Sequence, residues 1–225
     1  MNQSSTSRTE AISLALVAGY VDGYALRVFG TYVSFMSGNT TLTGLGVGQA
    51  RFAAALTPAL SIAGFLGGSF VGNCFAHSQF RRFQRLLFTV AGMLVACFVV
   101  LNLRTPLNAN LGIPILSLAM GLINPAVSRV GSEPVSLTFV TGTLNKIGNH
   151  LALAVRHAKP ADAQGPGDTH FRRALLEASV WTGFLTGAVL SGVAANFVGV
   201  SALVPASIVL VAFALANRVD GTSGS

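Results

Sequence analysis

Residues Phe35 to Gly48 read FMSGNTTLTGLGVG and stand between long apolar runs without resembling either neighbour. The stretch is too polar and Gly-rich for an ordinary membrane span and too apolar for an ordinary loop. A helix over it rises about 20 Å at 1.5 Å per residue, short of the ~30 Å hydrocarbon core of a bilayer. The residues before it, Thr31-Tyr-Val-Ser-Phe35, are β-branched or aromatic and suit extended backbone. Ser37 or Asn39 is placed to cap a helix running to about Ala50. An extended descent followed by a helical return makes a re-entrant element whose helix starts at membrane depth. Backbone is tolerated there only against protein or a water-lined cavity.

The rest of the chain supports a membrane setting. It has 225 residues, 52% hydrophobic and 9% charged, with mean hydropathy +0.64. A soluble domain carries about 25% charged residues, so this chain lacks the charge to cover a water-facing surface. It reads as a single all-α membrane domain over 1–225. Apolar runs long enough to span lie at about Ala11–Phe29, Ala54–Ala76, Leu86–Leu103, Leu111–Val127, Ala174–Val198 and Val200–Ala216. The first run holds Asp22 and Arg27 and lacks a small-residue cleavage pattern, which favours a span over a removed signal. The formal charge of +7 sits on residues flanking the spans, as orientation signals do, and does not indicate a nucleic-acid partner. Cys74 and Cys97 lie in apolar runs and read as small core residues.

The opening stretch recurs. GYVDGYALRV (Gly19–Val28) aligns with GLINPAVSRV (Gly121–Val130), which sets Asp22 against Asn124. SFMSGNTTLTGLGVGQA (Ser34–Ala50) aligns with TFVTGTLNKIGNHLALA (Thr138–Ala154), and AGFLGG (Ala63–Gly68) with TGFLTG (Thr182–Gly187). Two repeats follow, about 9–103 and 111–217, each a span, a short polar-headed half-helix and two more spans. Gly23 after Asp22 and Pro125 after Asn124 predict a paired helix break, the pattern that marks transporter binding sites.

Charge orients the spans. With six spans and an internal N-terminus, Arg8, Arg81, Arg82, Arg85, Arg129, Arg156, Lys159, Arg172, Arg173 and Arg218 fall inside, and Arg51 and Arg104 outside. Eight spans would move four of the first group out, so six fits the positive-inside rule better. Each half then has three spans, and the second half is inverted relative to the first. The two half-helices dip from opposite sides and bring their N-termini toward each other near the midplane.

Such helix starts offer free N–H groups and a partial positive charge to an anion or polar solute. The expected function is a transporter or channel for a small polar or anionic solute. Its path runs along Asp22, Ser37, Gly38, Asn39, Thr40, Asn124, Thr141, Gly142, Thr143, Asn145 and Lys146. Asp22 opposes anion preference, balances Arg27 or Lys146, or carries a coupling proton. Lys146, with His150 four residues on, either strengthens anion preference or reaches to a wet surface. The alternative is a non-transporting membrane scaffold or accessory protein. Transport predicts a wet cavity reaching Asn39 and Thr143, whereas a scaffold predicts dry, mutually hydrogen-bonded polar groups. No HExxH, GxSxG, P-loop or paired intramembrane aspartate occurs, so neither an enzyme nor a cofactor or metal site is expected. Gly64, Gly68 and Gly72, like Gly183 and Gly187, form small-residue faces that either join the two halves or support a homodimer. His170 and KPADAQGPGD (Lys159–Asp168) read as an exposed linker.

The set GYVD, FMSGNT, AMGLINPAVSRVG (Ala119–Gly131) and TFVTGTL (Thr138–Leu144) resembles the YoaK-like family of small bacterial membrane proteins, a domain of unknown function. The resemblance covers about Ala11 to Ala216. It implies a bacterial inner-membrane protein of about six spans and no substrate; the expectation that both termini are cytoplasmic comes from the charge distribution. Members often carry a small residue such as Ala where this chain has Pro125.

Overall fold

The computed structural model describes residues 8–76, 89–97, 99, 108–126, 129–130, 133–134, 140–163, 165, 167–198 and 203–219. Among these, the elements are α1 (Arg8–Phe29), α2 (Met36–Gly48), α3 (Phe52–Ala76), α4 (helical over 89–97), α5 (Asn108–Ile123), α6 (Val140–Val155), α7 (His170–Val198) and α8 (Leu203–Val219). A short 3-10 turn, Asn124–Ala126, follows α5. The one extended pairing described is Arg129–Val130 against Glu133–Pro134. The all-α reading holds, and each described helix falls on an apolar run or half-helix expected from the sequence. Arg81, Arg82, Arg85 and the chain from Val135 to Phe139 lie outside the described residues.

Among the described residues, three helices are long and apolar enough to cross a membrane: Arg8–Phe29, Phe52–Cys74 and His170–Phe197. Their outward faces are aliphatic and aromatic, with Leu66 and Phe70 on α3 and Val189, Val193 and Phe197 on α7 all exposed. A water-soluble protein rarely shows such continuous apolar surface, whereas lipid matches it. The buried core centres on α1, where Leu14, Val17, Val21 and Tyr24 pack among Leu94 and Cys97 of α4, Leu116, Met120 and Ile123 of α5, and Leu203 and Leu210 of α8.

Two seams dominate the packing, α1 on α7 and α3 on α5. Both are made by glycine. A Cβ at Gly19 would fall on the Phe184 carbonyl oxygen, and one at Gly187 on that of Leu16. A Cβ at Gly121 would fall on the Phe65 carbonyl oxygen, and one at Gly68 on that of Leu118. Gly183 meets Ile12 and Gly64 meets Pro114 in the same way. Without a side chain in the way, the backbones approach closely and gain dispersion contacts, which is how helices associate where lipid removes the hydrophobic drive. The small-residue faces are thus used inside the chain, on α5 and α1.

Gly23 does not break α1, which runs unbroken to Phe29. It gives room instead, since a Cβ there would lie 3.3 Å from Cβ of Ser191 and 3.4 Å from the Ala188 backbone. Pro125 does end its helix: α5 stops at Ile123 and the chain tightens into the 3-10 turn. A glycine can be carried by tertiary packing at modest cost, but proline removes a donor and clashes.

In both seams residue numbers rise together, so the paired helices run parallel. The last residue of α1, Phe29, lies over Gly112 near the start of α5, so those two helices run in opposite senses.

Candidate functional site

The chain turns at Gly30, in the left-handed region (φ 69°), and folds back along α1. The Val33 and Ser34 N–H groups each donate to Oδ1 of Asp22 at 2.9 Å. Asp22 lies seven residues before the end of α1, about 10 Å along the axis, so α2 begins well below the end of α1. Asn39 holds the same loop from the other side. Its Oδ1 accepts from Tyr32 N–H at 3.3 Å, and its Nδ2 donates to the Tyr32 carbonyl at 2.7 Å. The side-chain amide thereby pairs both backbone groups of Tyr32. Thr31 Oγ1 donates to Asn39 Oδ1 at 3.0 Å, and Asn39 Nδ2 also donates to Ser61 Oγ at 2.9 Å. Ser61 Oγ donates to the Tyr32 carbonyl at 2.7 Å and lies 2.8 Å from Ser117 Oγ. Asn39, Ser61 and Ser117 are 0% exposed.

This chemistry answers a need set by the fold. Irregular backbone inside a bundle must find partners for its N–H and C=O groups. Asp22 and Asn39 supply them. The residue preceding α2 is Phe35, which makes no side-chain cap. Ser37 is exposed and Asn39 faces backward into the loop, so neither caps α2. Thr40 and Thr41 bond the carbonyls of Met36 and Ser37 within their own helix. Ser37 and Gly38 line a shallow open groove of about 480 Å³ with Leu26, Tyr32, Phe35 and Thr41. That groove is not lined by Asn39 or Thr143.

Both half-helices end in the same device. After α2, Arg51 N–H donates to the Gly46 carbonyl at 2.7 Å and Ala50 N–H to that of Val47 at 3.0 Å, with Ala50 at φ 55°. After α6, Ala158 N–H donates to the Leu153 carbonyl at 3.1 Å and His157 N–H to that of Ala154 at 3.0 Å, with His157 at φ 53°. Each is a Schellman closure with a non-glycine residue in the left-handed position. Each half-helix then packs on the long helix that follows, α2 on α3 and α6 on α7. No extensive α2–α6 contact occurs among the described residues.

The second half-helix is secured by charge. Lys146 Nζ lies 3.1 Å from Oε1 of Glu177, a side chain with no exposure, while the lysine is 34% exposed. One turn along, His150 Nδ1 lies 2.9 Å from His170 Nδ1, and both residues are buried. Arg173 follows on α7, with Nε 2.8 Å from Oδ1 of Asp168 and Nη1 2.9 Å from Oδ1 of Asp162. Lys146 and His150 share one face of α6, and His170, Arg173 and Glu177 one face of α7. Among the expected residues of this half, Thr143 is buried, Gly142 and Asn124 are half-buried, and Thr141 and Asn145 are exposed. His170 is the first residue of α7 and part of this cluster, not an exposed linker residue. Glu177 was legible as an acid within an apolar run. His170 had no comparable signal, because its partner lies twenty residues away across a loop. No group of three or more metal-ligating side chains occurs among the described residues.

The chain matches the family described as "Protein of unknown function (DUF1275)" over residues 11–216. It is 29% identical over 219 residues to a UPF0700 transmembrane protein of Rhizobium meliloti (strain 1021), covering 94% of this chain and 89% of that protein. No solved structure matches. A membrane protein of a family without known function is what the motif resemblance implied.

Proposed function

Since this chain belongs to the DUF1275 family, whose function is unknown, we propose from its own geometry that it transports a small polar or anionic solute across a bacterial inner membrane. Two inverted halves form the body, six spans in all, with α2 and α6 as half-helices entering from opposite sides. The reciprocal seams support this symmetry. Gly19 with Phe184 and Gly121 with Phe65 are the same contact made by matching positions, as are Gly187 with Leu16 and Gly68 with Leu118. The reversed senses of α1 and α5 fit an inversion.

The observation that carries transport is the Lys146–Glu177 pair. A fully buried carboxylate within a membrane-length helix costs several kcal/mol in desolvation, which its lysine only partly returns. Apolar residues would hold α6 on α7 more cheaply, so the pair speaks for a site. Lys146 is also the member that reaches accessible space, where an oxyanion or a polar solute could exchange for the carboxylate. The site therefore moves from the paired helix starts to the α6–α7 seam, with Thr141, Asn145 and Lys146 along the exposed side. Asp22 and Asn39 become the frame of the fixed half.

The scaffold reading retains one supporting observation, the dry and closed Asn39–Ser61–Ser117 network. Vesicles reconstituted with the purified chain separate the two. Stopped-flow light scattering after jumps of sodium chloride, nitrate, phosphate and glycerol reads solute entry. Transport predicts faster equilibration for at least one of these, lost in Lys146→Met. Rates equal to empty vesicles for all four would leave the scaffold.

A further inference from the structure

We propose that the outward groove between α1 and α7 binds an anionic phospholipid, with one acyl chain along the groove and the headgroup phosphate on Arg8. Such a site needs a membrane setting but no transport activity. The groove is open and holds about 430 Å³, lined by Ile12 and Leu16 of α1 and by Leu175, Ser179, Thr182 and Thr186 along one stripe of α7. It follows from the way the seam is closed. Gly183 and Gly187 bring the two backbones together, and the small residues beside them leave a trough on the lipid side. Three hydroxyls stand in it. Ser179 Oγ donates to the Leu175 carbonyl at 2.6 Å, Thr182 Oγ1 to that of Ala178 at 2.8 Å and Thr186 Oγ1 to that of Thr182 at 2.8 Å. Each donor is satisfied within its own helix. The trough therefore asks for no polar partner and suits a hydrocarbon chain.

Its outer end is cationic. Arg8 Nη2 donates to Ser179 Oγ at 3.4 Å, a long contact. A guanidinium has five N–H donors, and the others on Arg8 meet no acceptor among the described residues. Arg8 opens α1, a helix of membrane-crossing length, which sets it at the headgroup layer. From Ser179 to Thr186 the groove runs about 10 Å inward, within one leaflet of a ~30 Å hydrocarbon core. Charge followed by an apolar trough is the order of parts in a phospholipid. Glu10 does not interrupt it, since it shares the stripe of Leu14 and Val17, which face the core. Arg156, Lys159 and Arg172 are exposed where α6 joins α7, and the exposed acid described there, Asp162, bonds Arg173. A guanidinium takes a phosphate through paired hydrogen bonds, and basic pockets between membrane helices take anionic headgroups. A zwitterionic lipid would bring a further cation to this rim.

A second copy of the chain fits less well. Two copies related by a two-fold along the membrane normal would set each groove against itself. Two concave faces leave a void between them, and Arg8 would meet Arg8. A free phosphate would use the guanidinium but leave the trough unfilled.

The test uses the full chain in phosphatidylcholine nanodiscs doped with a trace of phosphatidylglycerol that carries a photoactivatable group on one acyl chain. Phosphatidylcholine with the same modified chain is the control, and adducts are mapped by proteolysis and mass spectrometry. We expect adducts within residues 12–16 and 175–186, several-fold more abundant with the phosphatidylglycerol probe. Arg8→Gln should abolish that preference and Arg8→Lys should keep it. Thr182→Trp, which fills the trough from an exposed position, should lose the adducts of both probes. Equal labelling by the two probes would overturn the proposal, and so would a preference that survives Arg8→Gln. Chain dimers cross-linked through α7 in place of lipid adducts would assign the groove to a second copy. Loss of the adducts on adding inorganic phosphate would assign Arg8 to a free anion, and either result would overturn the lipid site. Solute flux is not read, so transport can fail while this site stands.

Discussion

The α2–α3 and α6–α7 seams are built alike and held differently. In each, a half-helix of 13 or 16 residues closes with a left-handed residue and lies on the long helix that follows. The first is held by small residues and neutral hydrogen bonds: Gly46 on Ala55, and Asn39 with Ser61. The second is held by Lys146–Glu177 and by two histidines. Neutral contacts at van der Waals distance have one arrangement and hold it. A buried charged contact instead depends on each partner keeping its counterpart. The difference teaches that a half-helix can be seated on the helix that follows it either by neutral close contacts or by charge.

The sharpest way to break the comparison is its orientation. Single cysteines at Arg51 and Arg156, just beyond the ends of α2 and α6, should label from opposite faces of the membrane in a background lacking Cys74 and Cys97. Labelling of both from one face would end the inversion.

Next in size is the ion pair. Lys146→Met leaves the Glu177 carboxylate buried without its cation and should cost about 4 kcal/mol in mixed-micelle unfolding, a loss largely recovered by adding Glu177→Leu. A double variant no more stable than the single would show that the pair is not a coupled unit. In the other seam, Asn39→Ala strands the Tyr32 N–H, takes one of two donors from the Tyr32 carbonyl and one from Ser61 Oγ, and should cost about 3 kcal/mol. A loss below 1 kcal/mol would mean that water replaces the amide and that the frame is wetter than its packing implies.

Gly68→Ala and Gly187→Ala each drive a methyl into a backbone carbonyl. Both should lose about 2 kcal/mol, and by equal amounts, because the two positions do the same work. Unequal losses would count against the symmetry. The smallest effect is a gain. Ala50→Gly and His157→Gly each relieve a left-handed residue and should stabilise by about 1 kcal/mol. No gain at either site would indicate that the strain is already relieved locally.

Much of this was open to reading in one dimension. The apolar runs, the short polar-headed segments and their recurrence are visible because a bilayer demands length and a half-helix cannot meet it. Pro125 marked a true helix end, since its missing N–H acts locally. Gly23 misled, because glycine permits a break without requiring one, and here the opposite helix uses the space. The roles of Asp22 and Asn39 were hidden for a related reason. A buried acid or amide looks equally like a ligand group and like a backbone partner until the loop's direction is known.

Composition and periodicity by themselves determined that this is a multi-span helical membrane protein, because the cost of polar backbone and charge in lipid falls on each segment separately. Tertiary structure alone decided which polar groups meet. Lys146 finds Glu177, and His150 finds His170, across chain separations of 31 and 20 residues. Such pairings depend on how two helices are rotated and set against each other, which no local pattern encodes.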